Sequence, residues 1–172
     1  MKKNVIVLGG SGFIGSKVLA SLSADPQVNL FWVKRVESRT PHIPNLPDPL
    51  IIEDLEAVEL SWINKADVII DLVSRGRGRM IQHRDINLRI RPHLRIIDGL
   101  INSNSKAHYI MLSSGGALYG DTGTQLLTEE SSFSPQTEYG LEKAIIETHL
   151  LYAAKTSLTV SILRVSNAYG DG

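Results

Sequence analysis

Three glycines at intervals of three, Gly9, Gly12 and Gly15, follow directly on the apolar run Val5-Ile6-Val7-Leu8. They precede a segment of helical pattern, Ser16 to Ala24, with Val18, Leu19 and Leu22 on one face. A strand that ends in a turn poor in Cβ atoms and then enters a helix can fold in few ways. The turn bends sharply, and the helix aims its unpaired N–H groups and positive dipole end at the turn. The stretch Gly9-Gly10-Ser11-Gly12-Phe13-Ile14-Gly15 therefore reads as an anion site whose backbone a pyrophosphate can approach. Its Gly-x-x-Gly-x-x-Gly spacing is that of a dinucleotide-binding βαβ unit.

The rest of the chain repeats the alternation. Strands are predicted at Val28 to Val33, Leu50 to Ile52, Asp67 to Leu72, His108 to Leu112 and Leu158 to Arg164. Between Glu37 and Pro49 four prolines, at 41, 44, 47 and 49, forbid regular structure and mark a loop. Leu55 to Asn64 reads as a short helix or an irregular turn. A helix from about His83 to Ser103 has Ile86, Ile90, Leu94, Ile97 and Ile101 at helical spacing, and Pro92 predicts a kink or a late start. Another helix covers Glu138 to Ala154. Strands alternating with helices imply an α/β fold of the Rossmann type, a doubly wound parallel sheet in the order 3-2-1-4-5-6.

Charge and composition narrow the classes of partner. Lys+Arg and Asp+Glu balance at 18 each, so no overall field recruits nucleic acid or an anionic membrane surface, and any anion must be bound locally. The absence of cysteine removes thiolate metal sites and cysteine nucleophiles and fits a reducing compartment. No apolar run approaches the roughly 20 residues needed to cross a bilayer, and Met1-Lys2-Lys3 leads at once into a strand, so the cytoplasm is the expected location. The five histidines show no metal-ligand spacing, and Trp32 and Trp62 read as packing residues. Arg75-Gly76-Arg77-Gly78-Arg79 reads as a solvated basic loop. The 172 residues make one cofactor-binding domain, and Val165 to Gly172 resembles a strand leaving its sheet toward further structure, so the chain is expected to be part of a longer one.

Tyr139 and Lys143 stand four apart on the last helix, on one face and within reach of each other. A cation beside a phenol favours the phenolate. A tyrosine so tuned can take a proton from a substrate hydroxyl as hydride leaves the same carbon, and return it in the reverse step.

With these residues stand Asp54-Leu55 after the third strand, Asn87, Ser113-Ser114-Gly115-Gly116-Ala117-Leu118-Tyr119-Gly120, and Leu163-Arg164-Val165-Ser166-Asn167-Ala168-Tyr169-Gly170. In this order the motifs resemble the extended short-chain dehydrogenase/reductase family, and within it the NAD-dependent epimerase/dehydratases of the UDP-glucose 4-epimerase type. The resemblance covers essentially the whole chain. It implies Tyr139 as catalytic acid/base and Lys143 as the group that tunes it and bonds the nicotinamide ribose. It implies Ser113 and Ser114 near the nicotinamide and the reacting hydroxyl, Asp54 at the adenine, and Leu55 packed beside it. A UDP-linked sugar as substrate, a homodimer formed through the helices near 83 to 103 and 138 to 154, and a C-terminal substrate domain absent from this chain are implied too.

The chain departs from the family pattern at three places. Where the family has Ser or Thr four residues before the Tyr of its Tyr-Gly pair, this chain has Gly115, so Ser114 must substitute or the substrate bond is missing. Ser113 and Ser114 can also be read as a strand end capping its own backbone. Gly116-Ala117 replace the Asp-Glu pair that dehydratases use, which argues against dehydration. The second strand ends in Lys34-Arg35, with Arg39 close behind, where NAD-preferring members carry an acid for the ribose 2′-hydroxyl. A guanidinium suits a 2′-phosphate, so the reading favours NADP over NAD, the alternative being two solvated residues after a strand. Asp71 stands where relatives often have His and reads as a local polar contact. The functions open at this point are a nucleotide-sugar epimerase, a keto-sugar reductase, and a non-catalytic NADP-binding sensor or scaffold.

Overall fold

The computed structural model describes residues 1–74, 86–124 and 126–170. Its strands are β1 (Lys3–Leu8), β2 (Val28–Arg35), β3 (Leu50–Ile52), β4 (Val68–Asp71), β5 (His108–Ser114) and β6 (Thr159–Val165). They form one parallel sheet in the order β3-β2-β1-β4-β5-β6. Its helices are α1 (Phe13–Ser23), α2 (Leu60–Ile63), α3 (Asn87–Asn102), α4 (Gly115–Leu118) and α5 (Glu138–Ala153), with a 3-10 turn at Leu55–Ala57.

Both faces of the central strands are buried, as parallel strands require. Along β1, Ile6 and Leu8 face the core shared with α3 and α5, whereas Val5 and Val7 face α1. On the α1 side Leu19 and Trp32 are fully covered, and Ile43 and Leu46 of the proline-rich loop pack against them. Trp32 Nε1 donates to Pro47 O at 2.7 Å, so this tryptophan ties the loop to the sheet. Trp62 packs edge-on against Phe31.

Several elements differ in extent from the sequence expectation. Lys34 and Arg35 pair with Ile51 and Ile52 inside the sheet, so they end β2 and do not follow it. Ser113 and Ser114 likewise belong to β5, because β6 runs on beside them to Val165. Helix α1 starts at Phe13, immediately after Gly12. Helix α3 is described from Asn87 and carries Pro92 at its sixth residue. Its buried face includes Arg89 and His93 beside Ile90, Ile96, Ile97 and Leu100, while Leu94 is only half-buried. Apolar periodicity gave the helix but not the inward position of Arg89 and His93, because both are ionisable and are buried with partners. The short helix α4 had no sequence expectation. The basic loop Arg75 to Arg79 and the expected helix start at His83 lie outside the described residues.

Candidate active site

At the carboxyl edge of β1 the chain turns at Gly9, whose φ is +80°. A Cβ there would lie 2.9 Å from the backbone carbon of Leu72, and one at Gly15 would lie 2.3 Å from Gly9 O. Both positions must be glycine for the turn to close on itself. Gly12 differs: its φ of −79° suits any residue, and a Cβ would meet only Gly9 O, at 3.4 Å. No described residue requires glycine at 12. Gly12 is also the N-cap of α1 without a capping side chain, so the first N–H groups of an 11-residue helix lack the usual partner. An open backbone cradle at a positive helix end is what a dinucleotide's pyrophosphate needs, and in this respect the residues present fit the group.

The turn forms one wall of a cleft of about 290 Å³, lined by Gly9, Ser11, Gly12, Val33, Lys34, Arg35, Ser38, Ile52, Leu55, Leu72, Val73 and Ser74. The sheet therefore brings together the expected residues Gly9, Ser11, Gly12, Lys34, Arg35 and Leu55. Phe13, Ile14 and Gly15 form the first turn of α1 behind them. Lys34 Nζ donates to Ser38 O at 2.8 Å and to Thr40 Oγ1 at 3.2 Å, which commits it to the loop. Arg35 is exposed at the rim. Asp54 does not line the cleft; its Oδ1 accepts from Glu56 N at 2.9 Å and caps the 3-10 turn that carries Leu55.

The second group of expected residues does not line the cleft, and it is joined to the cleft wall through Lys143. Tyr139 and Lys143 lie one turn apart on α5, with Lys143 Nζ 5.9 Å from the centre of the Tyr139 ring. Lys143 is buried, and Nζ donates to Val73 O at 3.1 Å. Because Val73 lines the cleft with Gly9, the Lys143 ammonium is anchored to the cleft wall, with the Tyr139 ring one turn before it on α5. Thr137 caps α5, its Oγ1 accepting from Gly140 N at 3.0 Å. Gly140 lets the helix start against α4: a Cβ there would lie 2.2 Å from Ala117 O. Since α4 begins directly after Ser114, this close packing draws the end of β5 toward the start of α5. The Ser113 and Ser114 hydroxyls are buried and have no hydrogen-bond partner among the described residues, and Ser114 does not cap α4 with its side chain. The reading of these serines as caps of their own backbone is therefore set aside.

Behind Lys143 lies a polar cluster that sequence reasoning did not assemble. Asp71, at the end of β4, accepts from His93 Nδ1 at 2.6 Å and from the Tyr109 hydroxyl at 2.7 Å through Oδ2, and from Val73 N at 3.0 Å through Oδ1. An ionised carboxylate only accepts, so His93 must carry its proton on Nδ1. Burial would push the Asp71 carboxyl up, but the His93 ring, the Lys143 ammonium and the Tyr109 hydroxyl outweigh it and bring it down to about 2 from an ordinary 3.8. Burial and the neighbouring carboxylate push the Tyr109 phenol well above its usual range. A lone Asp in an apolar strand signalled that buried donors had to exist. Nothing local pointed to His93 on α3 or Tyr109 on β5 as those donors.

Two further buried carboxylates on α5 were missed. Glu142 pairs with Arg89 Nε at 2.6 Å, and Glu147 pairs with Arg164 Nε at 3.0 Å and Nη2 at 2.9 Å. Arg164 also donates to the Tyr119 hydroxyl at 2.6 Å and to Glu129 O at 2.8 Å.

A parallel sheet in this order, with a glycine turn opening α1 at its carboxyl edge, defines a Rossmann-type α/β protein. The chain belongs to the NAD dependent epimerase/dehydratase family, whose model matches residues 5–172. It is similar to the dTDP-4-dehydro-6-deoxyglucose reductase of Escherichia coli, with 29% identity over 191 residues, 99% of this chain and 57% of the reductase. Among solved structures it resembles the UDP-N-acetylglucosamine 4-epimerase of Methanobrevibacter ruminantium in complex with UDP-N-acetylmuramic acid. That match has a TM-score of 0.78, 29% identity, and covers 95% of this chain and 55% of the epimerase. The UDP-glucose 4-epimerase of Thermotoga maritima with UDP-glucose matches with a TM-score of 0.78 and 26% identity, over 97% and 56% of the two chains. The chain thus spans little more than half the length of these relatives. No helix among the described residues is long and apolar enough to cross a membrane.

Proposed function

We propose that this chain is the cofactor-binding part of a nicotinamide-dependent enzyme acting on a nucleotide-linked sugar, as a 4-epimerase or a keto-sugar reductase. The observation that carries the reading is the bond from Lys143 Nζ to Val73 O, which ties the Tyr139/Lys143 pair to the cleft lined by Gly9, Ser11 and Gly12. The nicotinamide dinucleotide, when bound, supplies the hydride carrier. The glycine turn and the first turn of α1 would hold its pyrophosphate through backbone N–H groups. Tyr139 takes the proton from the sugar hydroxyl, and Lys143 stabilises the charge that gathers on the phenol oxygen. The unpartnered hydroxyls of Ser113 and Ser114 support a hydrogen bond to the reacting oxygen, in place of the side chain that Gly115 lacks. Gly116 and Ala117 carry no acid or base, so dehydration is not part of the reading.

Arg35 favours NADP over NAD. It stands exposed at the cleft rim, where an acid would repel a 2′-phosphate and a guanidinium can bind it in a fork, while Lys34 is held by Ser38 and Thr40. Titration with both cofactors tests this: Arg35→Ala weakens NADP by about tenfold or more and leaves NAD unchanged. Equal affinities and no effect of the substitution refute it.

A panel of UDP- and dTDP-linked sugars given to the full-length protein, with absorbance of the reduced cofactor and product epimers as readouts, tests the reaction. Tyr139→Phe is expected to lower turnover by about 100-fold or more. No reduced cofactor and no altered sugar across the panel overturn the enzyme reading. They leave the second one, which Gly115 favours: a protein that binds NADP without turnover. The 172-residue chain alone is expected to bind cofactor weakly and to turn over nothing. Leu141, Leu151 and Tyr152, exposed along α5, offer apolar surface to a second copy in a homodimer.

A further inference from the structure

Asp71 stands one bond away from each partner in a chain that ends at Lys143. Its Oδ1 accepts from Val73 N at 3.0 Å, and Val73 O accepts from Lys143 Nζ at 3.1 Å. Its Oδ2 is held from two other elements, by His93 Nδ1 of α3 at 2.6 Å and by the Tyr109 hydroxyl of β5 at 2.7 Å. All four side chains are buried, with Asp71 1% and Lys143 2% exposed, so water does not substitute for any of these bonds. The turn that Asp71 grips, Leu72 to Ser74, is also the wall of the cleft facing the glycine turn. It runs so close to Gly9 that a Cβ there would touch Leu72 backbone.

A buried carboxylate is costly unless its oxygens are satisfied, and these are satisfied by three donors from three different parts of the chain. Had this strand only to pack, an apolar residue at 71 would do so at no desolvation cost. What the carboxylate adds is direction: it fixes the Leu72–Val73 peptide through its N–H, and so sets the Cα of Val73 from which the next peptide, whose carbonyl receives the ammonium, departs. The His93 ring and the Tyr109 hydroxyl keep the carboxylate from rotating, since both bond the oxygen that does not hold Val73.

We propose that Asp71, clamped by His93 and Tyr109, is a positioning residue that sets the Leu72–Ser74 turn and, through Val73 O, holds Lys143 beside Tyr139. The inference rests on the reading of Tyr139 and Lys143 given above, but its test does not need turnover. Each lysine of the 172-residue chain is labelled with an amine-reactive reagent, and the rate at each site is read by mass spectrometry. In Asp71→Ala, which removes the acceptor of Val73 N, Lys143 is expected to label about tenfold faster than in the parent chain, as for one lost hydrogen bond to a charged group. Lys34, bonded across the cleft to Ser38 and Thr40, keeps its rate and reports that the rest of the domain is intact. Asp71→Asn, which retains an oxygen for Val73 N, is expected to return Lys143 close to the parent rate. Where Asp71→Ala does not fold, Asp71→Val with Tyr109→Phe and His93→Leu takes its place, because the carboxylate and both of its side-chain donors leave together.

An unchanged Lys143 rate in the folded alanine or triple variant overturns the proposal. So does an asparagine variant that labels as fast as the alanine one, or a Lys34 rate that rises in step with Lys143. Binding of reduced cofactor to Lys143→Met is measured beside them. Unaltered affinity there refutes the cofactor role of Lys143, whichever way the labelling falls.

Discussion

Gly12 and Gly15 belong to one motif but answer to different constraints, and alanine at each separates them. At Gly15 a Cβ would lie 2.3 Å from Gly9 O and 2.8 Å from the backbone carbon of Gly10. Those are backbone atoms of a closed turn and cannot swing aside. Overpacking costs about 1–3 kcal/mol, and rigid backbone atoms at these distances put this site in the upper part of that range, about 2–3, of which alanine's better helix propensity returns about 1. Gly15→Ala is therefore expected to lose about 1–2 kcal/mol, or several degrees in Tm at about 2–4 °C per kcal/mol for a domain of this size. At Gly12 the added Cβ meets only Gly9 O, at 3.4 Å, with φ −79° and ψ 175° open to alanine. The poorer N-cap costs about 0.5–1 kcal/mol, and the stiffer unfolded chain returns about 0.4–1, so stability should hardly move. Affinity should move instead, since the methyl group stands where a pyrophosphate would approach the helix N-terminus; a fall of about tenfold or more is expected. Circular dichroism on heating gives the first quantity. Energy transfer to reduced nicotinamide from Trp32, whose ring would lie 3.1 Å from a Cβ at Gly10, gives the second. Parent-like binding by Gly12→Ala would refute the anion cradle, and parent-like stability of Gly15→Ala would refute the steric account of the turn.

The acid limb of stability tests the Asp71 carboxylate. Its folded value is depressed from 3.8 to about 2, so it contributes about 2 kcal/mol that is present above the ordinary carboxylate range and lost as pH falls through about 2. Urea unfolding should show Asp71→Asn weaker than the parent near pH 6 and converging with it near pH 2; a gap independent of pH contradicts the charge assignment. Glu147→Ala leaves Arg164 facing a buried void in place of its carboxylate, and about 3–5 kcal/mol should be lost in the same assay. A loss below 1 kcal/mol would mean that the pair adds little. Gly115→Ser places a Cβ 3.2 Å from Arg164 O, a contact that a small shift relieves, so the domain should fold with a Tm within a few degrees of the parent. If the serine also raises sugar turnover in the full-length protein, Gly115 is the residue that limits it; unchanged turnover assigns the substrate hydrogen bond to Ser114.

Local patterns carried the sheet. Each strand is a run of β-branched or apolar residues between turn signals, and the three long helices α1, α3 and α5 were expected from the chain, while α2 was left open as a short helix or an irregular turn and α4 was not expected. Strand ends were less legible. Lys34, Arg35, Ser113 and Ser114 are polar residues that remain in the sheet because a neighbouring strand extends beside them, a fact that belongs to β3 and β6 rather than to their own sequence. The glycine turn and the Tyr139/Lys143 pair were visible because their chemistry needs fixed spacing within one segment. The partners of Asp71, Glu142 and Glu147 were not visible, because each pair joins residues far apart in sequence through a fold that periodicity does not specify.

Those same pairs explain how α5 is held. Its buried residues include Glu142, Lys143 and Glu147 beside Ile146, Leu150 and Ala153, so the helix does not present a purely apolar stripe to the sheet. An apolar stripe against an apolar sheet tolerates small rotations and slides at little cost, since its contacts are non-directional. Ionic and hydrogen-bonded contacts do not. Glu142 fastens α5 to α3 through Arg89, Glu147 fastens it to β6 through Arg164, and Lys143 fastens it to the turn after β4 through Val73 O. Three attachments to three elements, two of them at neighbouring residues on different faces of the helix, fix both its rotation and its axial position. Gly140 against Ala117 O fixes the approach of its first turn. The position of the Tyr139 ring is then determined by contacts made one to two turns away from it, and loosening any of them should move the phenol before it unfolds the domain.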